Sequence, residues 1–124
     1  MIPVVPDTFA RMTDCLFCKM VTREIQSDEV HRSDDFLAFL DLNPQAPTHI
    51  LVIPTRHFSN AADLAAADQS LAGGLIETAT RVSESQGLES GYRIVINTGP
   101  DGGQSVFHVH AHVLGGRTMS WPPG

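Results

Sequence analysis

The chain has 124 residues, of which 42% are hydrophobic, and this length fits one domain with a single modest core. Its 14 acidic side chains outnumber 8 basic ones, and the net charge of −6 argues against a partner such as duplex DNA. A small nucleotide in a local pocket is not excluded by that charge. No apolar run approaches the length of a membrane span, and the first residues lack the pattern of a signal peptide. Two cysteines without secretion features favour a cytoplasmic location.

The N-terminal region predicts a flexible extension followed by a short helix. Residues 1–13 contain two prolines and no periodic pattern, so the domain is expected to comprise residues 14–124. A helix is predicted from Cys15 to Val21, with Asp14 as its N-cap. The Cys-x-x-Cys pair lacks the preceding strand that a thioredoxin-like redox motif needs. Cys15 and Cys18 are therefore interpreted either as two packed thiols or as half of a zinc site.

The middle of the chain shows the periodicities of three strands and one long helix. The strands are predicted over residues 29–33, 36–40 and 49–54, the first two forming a hairpin. Apolar residues at helical spacing predict the helix over residues 68–86, with Asp68 able to cap its start and Gly87 to end it. Gly73 and Gly74 lie inside that helix at about 1 kcal/mol each relative to alanine, a cost that close approach of another backbone would justify.

The last third of the chain predicts an antiparallel hairpin, with strands over residues 91–97 and 107–114. Strict alternation in the second strand puts His108, His110 and His112 on one face, opposite Val109 and Ala111. The connecting loop is rich in glycines whose amides can approach an anion, and Ser105 adds a hydroxyl donor. With the preceding elements, this order predicts an α+β domain with an antiparallel sheet.

The row of histidines suits nucleophilic catalysis better than a metal site built from the row alone. His108 and His112 would be about 13 Å apart on an unbent strand, too far to share one ion. In catalysis, one neutral imidazole attacks while its neighbours orient it and bind the group under attack. A metal scavenger or a solvated polar strand face is the less favoured alternative.

Several motifs, in order and at characteristic spacing, are similar to the histidine triad superfamily, and to its histidine triad nucleotide-binding branch in particular. The similarity runs from about Asp14 to the last residue. The matching stretches are residues 39–42, 45–54, 91–93, 101–106, 108–114 and 121–124. This resemblance implies a HIT-like fold, a five-stranded antiparallel sheet with one long and one short helix. It also implies a homodimer whose sheets continue across the long helix and the fifth strand.

The resemblance further implies a purine nucleoside phosphoramidase that hydrolyses the P–N bond of adenosine or guanosine monophosphate amidates. His110 would form a nucleotidyl-histidine intermediate, and His112 would donate to a phosphoryl oxygen. His49 would support proton movement, and Ser105 would contact the phosphate and the departing group. Neither an organic cofactor, nor nucleic acid, nor a membrane is expected to take part. The alternatives are a dinucleoside polyphosphate hydrolase and a nucleotide-binding regulatory protein with incidental turnover.

The remaining implied site residues follow by position in the same motifs. Asp41 would accept hydrogen bonds from the ribose, and Trp121 would reach towards the partner subunit's active site. The implied phosphate-site residues are Asn97, Gly103, Gln104, Ser105 and Val106. The implied pocket for the base is apolar and consists of Phe17, Met20, Phe39 and Leu42. The implied zinc ligands are Cys15, Cys18, His57 and His108, a closed structural set.

Overall fold

The fold is an open sheet with a helix packed on each face, built from residues 14–124, the part that the computed structural model describes. The α+β class is confirmed, and the extension predicted for residues 1–13 lies outside the described residues. The elements in chain order are α1 (Leu16–Val21), β1 (Glu29–Arg32), β2 (Phe36–Leu40), β3 (Thr48–Pro54), α2 (Ala61–Ala67), α3 (Gln69–Ser85), β4 (Tyr92–Val95) and β5 (Ala111–Gly115).

The sheet has the strand order β1-β2-β3-β5-β4, and every neighbouring pair is antiparallel. In the pairing of β3 with β5, Leu51 lies opposite His112. Because side chains alternate between faces, His49 shares the face of Leu51 and becomes a diagonal neighbour of His112. The register therefore brings together two histidines that are 63 positions apart in the sequence.

Each face of the sheet is buried by a different helix. The apolar stripe of α3, including Leu71, Leu75 and Val82, packs on one face of the sheet. Phe17 and Met20 of α1 pack on the other face. Strand β3 is therefore covered on both sides, which explains its nearly continuous apolar sequence. Burying one side chain of this size contributes about 1.5–3 kcal/mol, so both helices are held mainly by their apolar contacts.

The helix boundaries follow local capping, with one correction to the sequence prediction. The N-cap of α1 is Cys15 and not Asp14, because the Cys15 sulfur accepts a hydrogen bond from the Cys18 amide at 3.4 Å. For α3 the predicted cap is confirmed, since the Asp68 carboxylate accepts from the Leu71 amide at 2.9 Å. Helix α2 was not predicted, because its alanine-rich stretch buries only Leu64 and has no apolar stripe.

The glycine pair in α3 has a different explanation from the one expected. A Cβ atom on Gly74 would lie 2.9 Å from a ring carbon of Phe36. The close neighbour is therefore an aromatic ring of β2 and not another backbone. A Cβ atom on Gly73 would meet nothing within 4 Å, and the structure gives no reason for glycine there.

The triad strand is shorter than predicted, since β5 begins only at Ala111. The register would pair Val109 with Pro54, which has no N–H to donate to the ladder. Instead, the Val109 amide donates to the carbonyl of Phe58 at 2.7 Å. The alternation of faces persists, because Val109 lies in the core under α3. Phe107 departs from the predicted pattern and is 53% exposed. Strand β4 likewise ends at Val95, before the predicted end at position 97.

Candidate active site and metal cluster

His110 is held with its two ring nitrogens in different states. Its Nδ1 lies 2.8 Å from the backbone carbonyl oxygen of His108, which can only accept, so Nδ1 carries the proton. The lone pair therefore lies on Nε2, and no hydrogen bond from the described part of the chain occupies that atom. Burial lowers the pKa of His110, although the His108 carbonyl and the charge of Asp41 oppose that shift. A neutral imidazole with a free Nε2 is the form that can act as a nucleophile.

His112 and His49 form a pair beside His110. Nε2 of His49 lies 2.9 Å from Nδ1 of His112, and the ring centroids of His110 and His112 are 4.9 Å apart. Burial, together with the two neighbouring histidines, lowers the pKa of His112 to about 4. Burial also lowers the pKa of His49, and the Asp41 carboxylate, 3.4 Å from its Nε2, opposes this. Both rings are therefore neutral near pH 7.

His110 and His112 line a cleft of about 450 Å³, a volume within the range of small-molecule sites, whereas His49 lies behind His112 and is not in the lining. The lining combines apolar side chains with polar groups. Of the residues predicted to bind nucleotide, the apolar ones in this lining are Phe17, Met20, Phe39, Leu42 and Val106. The polar ones are Asp41, Ser105, His110 and His112. The cleft thus combines a surface suited to a flat base with groups suited to a sugar and a phosphate.

Four of the predicted nucleotide-binding residues do not line this cleft in the described chain: Asn97, Gly103, Gln104 and Trp121. Trp121 is 82% exposed. The side-chain amide of Gln104 donates to the carbonyls of Ser59 and Val106, and its oxygen accepts from the amide of Gly99. Gln104 therefore fixes the loop from inside. The nucleotide contacts expected of these four residues stay predictions.

The glycine loop is shaped by contacts within the chain itself. A Cβ atom on Gly102 would collide with the carbonyl oxygen of Thr98, so only glycine allows this close approach. Gly103 has a φ of +84°, which favours glycine, and its amide donates to the carbonyl of Pro100 at 3.1 Å. Together with the buried Gln104, these contacts hold exposed Ser105 at the edge of the cleft.

Sequence reasoning missed one wall of the cleft, the coil between α1 and β1. Gln26, Ser27 and Asp28 line the cleft there and add polar side chains to it. Three apolar residues in the lining were also missed: Leu16, Leu40 and Leu51. Residues 26–28 have no periodicity and no motif that could have predicted their position. In the structure they are held beside β2 by the Leu40 amide, which donates to the carbonyl of Asp28 at 3.0 Å.

A second cluster surrounds the side chain of His108. It consists of Cys15, Cys18, His57 and His108, whose ligand atoms all lie within 4.8 Å of one another. Nδ1 of His108 is 3.3 Å from the Cys15 sulfur and 3.6 Å from the Cys18 sulfur. Nδ1 of His57 is 3.5 Å from the Cys18 sulfur. In a tetrahedral zinc site with ordinary bond lengths, sulfur and nitrogen ligands are about 3.5 Å apart, so this cluster could bind zinc.

The surroundings of the cluster also fit a cation. Nε2 of His108 donates to the carbonyl of Pro54 at 2.9 Å, which leaves the lone pair of Nδ1 directed at the sulfurs. Burial, with Cys15 alongside, raises the pKa of the Cys18 thiol to about 12. Two crowded thiols resist ionisation by themselves, and a bound cation would reverse that preference. Both cysteines are free, so no disulfide competes for them.

Within the described residues, none of the helices is both long and apolar enough to cross a bilayer.

The chain is similar to known proteins over most of its length. The HIT domain profile matches residues 22–119. A 14 kDa zinc-binding protein of Zea mays is 49% identical over 112 residues, covering 88% of this chain and 87% of that protein.

Two solved structures have the same fold. A HIT family hydrolase from Legionella pneumophila superposes with a TM-score of 0.86 at 45% identity, covering 90% of this chain and 100% of that one. A histidine triad nucleotide-binding protein from Candida albicans gives a TM-score of 0.76 at 25% identity, covering 88% of this chain and 83% of that one. The profile match and these similarities confirm the resemblance to the histidine triad superfamily: the chain belongs to the HIT domain family.

Proposed function

We propose that the protein is a purine nucleoside phosphoramidase that works through a nucleotidyl-histidine intermediate. The observation that carries this proposal is the state of His110, whose Nδ1–H is held by the His108 carbonyl at 2.8 Å while its free Nε2 opens on the cleft. Support for a hydrolase comes from the Legionella pneumophila relative, which is a HIT family hydrolase. Support for a nucleotide ligand comes from the Candida albicans nucleotide-binding protein.

The first step is attack by Nε2 of His110 on phosphorus. A nitrogen–phosphorus bond to His110 forms while the P–N bond of the substrate breaks. The departing nitrogen takes up one proton from solvent and leaves as an amine, and Ser105, which lines the cleft, would hydrogen-bond it. Charge that builds on the phosphoryl oxygens is stabilised by an N–H of His112. The second step is attack of water on the nucleotidyl-histidine. The bond between His110 and phosphorus breaks, the attacking water gives up one proton to solvent, and the nucleoside monophosphate and neutral His110 are released.

The cleft also supports a choice of substrate. The side chains of Phe17, Met20 and Phe39 form an apolar surface in the cleft on which a flat purine base could pack. The carboxylate of Asp41 is an acceptor for the vicinal hydroxyls of ribose. The net charge of −6 is compatible with this ligand, since only local donors need to face the phosphate.

We also propose that Cys15, Cys18, His57 and His108 bind a structural zinc ion. The distances within the cluster and the carbonyl partner of His108 support it, and the similar Zea mays protein is named for zinc binding. Four protein ligands leave no open coordination position, so the metal would link α1 to the sheet and would take no part in catalysis. The ligands would also hold the backbone that carries the His108 carbonyl.

The homodimer implied by the resemblance belongs to this proposal as well. Exposed Trp121, which lies apart from the cleft of its own chain, would contact the cleft of the partner subunit. Light scattering on the purified protein is expected to give twice the chain mass, and a monomer at catalytic concentrations would contradict it. A cytoplasmic location stays a prediction from the sequence.

Turnover by the purified protein tests the function. An adenosine phosphoramidate and a diadenosine polyphosphate should be supplied separately to the same sample. The expected result is faster release of AMP from the phosphoramidate. Preference for the diadenosine compound would favour the polyphosphate hydrolase, and tight AMP binding without turnover of either would favour a regulatory binding protein.

A further inference from the structure

A chain of hydrogen bonds runs from the loop after β2 to the third histidine of the triad. The backbone N–H of Gln45 donates to Nδ1 of His49 at 3.0 Å, and Nε2 of His49 lies 2.9 Å from Nδ1 of His112. We infer that the Gln45 amide is a positioning group that fixes His49 and His112 as Nε2–H tautomers, so that His112 presents a donor to the substrate. Only the last contact, with a phosphoryl oxygen, rests on the proposed function.

Each proton position follows from the one before it. A backbone amide can only donate, so Nδ1 of His49 must hold a lone pair. A neutral imidazole has one N–H, which in His49 must then be on Nε2, the atom facing His112. That N–H donates to Nδ1 of His112, whose own proton must therefore be on Nε2. No hydrogen bond from the described part of the chain uses Nε2 of His112, and the ring lines the cleft.

The same amide keeps His49 neutral. A second proton on His49 would set its Nδ1–H against the N–H of Gln45, two donors facing each other at hydrogen-bond distance. The charged group nearest to His49 is Asp41, whose carboxylate is 3.4 Å from Nε2. His112 is closer, at 2.9 Å, and is therefore the main acceptor of that N–H. Burial, which lowers the pKa of both rings, acts in the same direction.

The same hydrogen bonds show whether Asp41, His49 and His112 are better suited to bind a metal ion or to form a chain of hydrogen bonds. Asp41, His49 and His112 bring ligand atoms within 4.8 Å of one another, so they resemble a metal site. A metal on Nε2 of His49 would require the proton on Nδ1, where the Gln45 amide already donates. His108 in the cysteine cluster has the opposite environment, since its second nitrogen faces the carbonyl of Pro54. A carbonyl that accepts one N–H of a histidine leaves the other nitrogen free to bind a metal, as in His108. A backbone amide that donates to one nitrogen puts the proton on the other, as in His49.

The position of the Gln45 amide is itself held by its loop. The side chain of Gln45 donates to the carbonyl of Asn43 at 3.0 Å, and Arg117 donates to the carbonyl of Gln45 at 3.1 Å. The Asp41 carboxylate accepts from the amide of Asn43 at 2.7 Å, which fixes the start of the loop. The Asp41 amide donates to the carbonyl of His49 at 3.0 Å, so the loop is tied to β3 at its base.

Nitrogen NMR of the ligand-free, isotope-labelled protein tests the inference without any substrate. At neutral pH, His49 and His112 are expected to show an unprotonated Nδ1 and a protonated Nε2. A coupling across the hydrogen bond should join Nε2 of His49 to Nδ1 of His112. His110 should show the opposite tautomer and serves as the internal reference. A protonated Nδ1 on His49, in either its neutral or its charged form, would overturn the inference.

Two substitutions at one position separate the amide from the side chain. Gln45→Pro removes the N–H, whereas Gln45→Ala keeps it and removes only the side chain. The proline variant should show mixed tautomers for His49 and His112, and its kcat should fall by about tenfold or more with a smaller change in KM. The alanine variant should keep the wild-type tautomers. Unchanged tautomers in a folded Gln45→Pro protein would contradict the inference, and if that variant fails to fold, the wild-type spectrum decides.

A zinc titration gives an independent check. The one lone pair of His49 accepts the Gln45 N–H and its Nε2 carries a proton, so His49 offers no atom to a metal and only the cysteine cluster should take up zinc tightly. A second tight equivalent per chain, lost in Asp41→Asn, would overturn the inference. Should the tautomers be as expected while no phosphoramidate is hydrolysed, the proposed function fails and the positioning role of Gln45 stands.

Discussion

The backbone carbonyl of His108 accepts the Nδ1–H of His110 at 2.8 Å, while the side chain of the same His108 belongs to the cysteine cluster. Phe17, which lies between the two cysteines in sequence, packs edge-on against both rings, with centroids 5.8 Å from His108 and 5.2 Å from His110. The cluster and the proposed nucleophile therefore share one scaffold. A change in the cysteine cluster should therefore alter the position of His110, through the His108 carbonyl and through Phe17.

Replacing His110 by alanine removes the proposed nucleophile. Turnover should fall by orders of magnitude, to well below roughly a tenth of the wild-type rate, because the covalent step has no other atom to use. Nucleotide binding should be largely retained, since the apolar lining and Asp41 remain. Calorimetric titration with AMP and steady-state rates measure the two effects. His31→Ala, at an exposed histidine on β1, is the matched control and should behave as wild type.

Removing zinc should lower stability first and activity second. An ion held at a thousandfold excess over its Kd contributes about 4 kcal/mol. Its loss should therefore lower the Tm by about 10 °C or more in a domain of this size. Cys15→Ser and Cys18→Ser should reproduce the effect of a chelator. Thermal unfolding with metal analysis on the same samples measures this, and a chelator that strips zinc without moving the Tm would show that the ion is not structural.

The metal-free protein should lose stability in mild acid. Burial is the main reason that the pKa of His108 and of His112 is held at about 4. In the unfolded chain each histidine has a pKa of about 6.5. The unfolded state thus binds more protons in this interval, so the stability is complete above about pH 6.5 and falls as the pH drops towards about 4. Denaturant midpoints across this range measure the slope, and a flat profile would contradict the lowered pKa of His108 and His112.

Asp41→Asn should weaken the binding of ribonucleotides more than the binding of analogues without ribose hydroxyls. The amide keeps one acceptor oxygen but loses the charge that strengthens the hydrogen bonds. The Asp41 carboxylate is also 3.4 Å from Nε2 of His49, so kcat should fall too, but by less than the affinity for ribonucleotides. Dissociation constants for AMP and for its dideoxy analogue measure the effect. Equal losses for both ligands would show that Asp41 does not contact the sugar.

The parts of the site that the sequence predicted are those with a periodicity or a motif. Alternation alone placed Val109 against the core and His108 and His110 on the other face, and this holds even where the strand ladder is absent. The helix α3 and its cap at Asp68 also followed from local pattern. The neighbour that orients His110 is His108, whose backbone carbonyl accepts the Nδ1–H of His110.

Contacts that depend on coil could not be predicted. Residues 26–28 line the cleft, and the Gln45 amide contacts His49, because of where the coil backbone runs. The pattern of side chains in the sequence does not predict that backbone path. Gln104 shows the reverse case, where a motif residue expected to face the ligand is consumed by three loop contacts. The end of the triad strand depended on Pro54, a residue on another strand whose register the sequence does not specify.

The stereochemical course at phosphorus tests the central claim most directly. A nucleoside phosphorothioamidate of known configuration should be hydrolysed in water enriched in heavy oxygen, and the configuration of the product determined. Attack by His110 followed by attack of water inverts phosphorus twice, so the account predicts overall retention. Overall inversion would mean that water displaces the amine in a single step, and it would contradict the nucleotidyl-histidine intermediate.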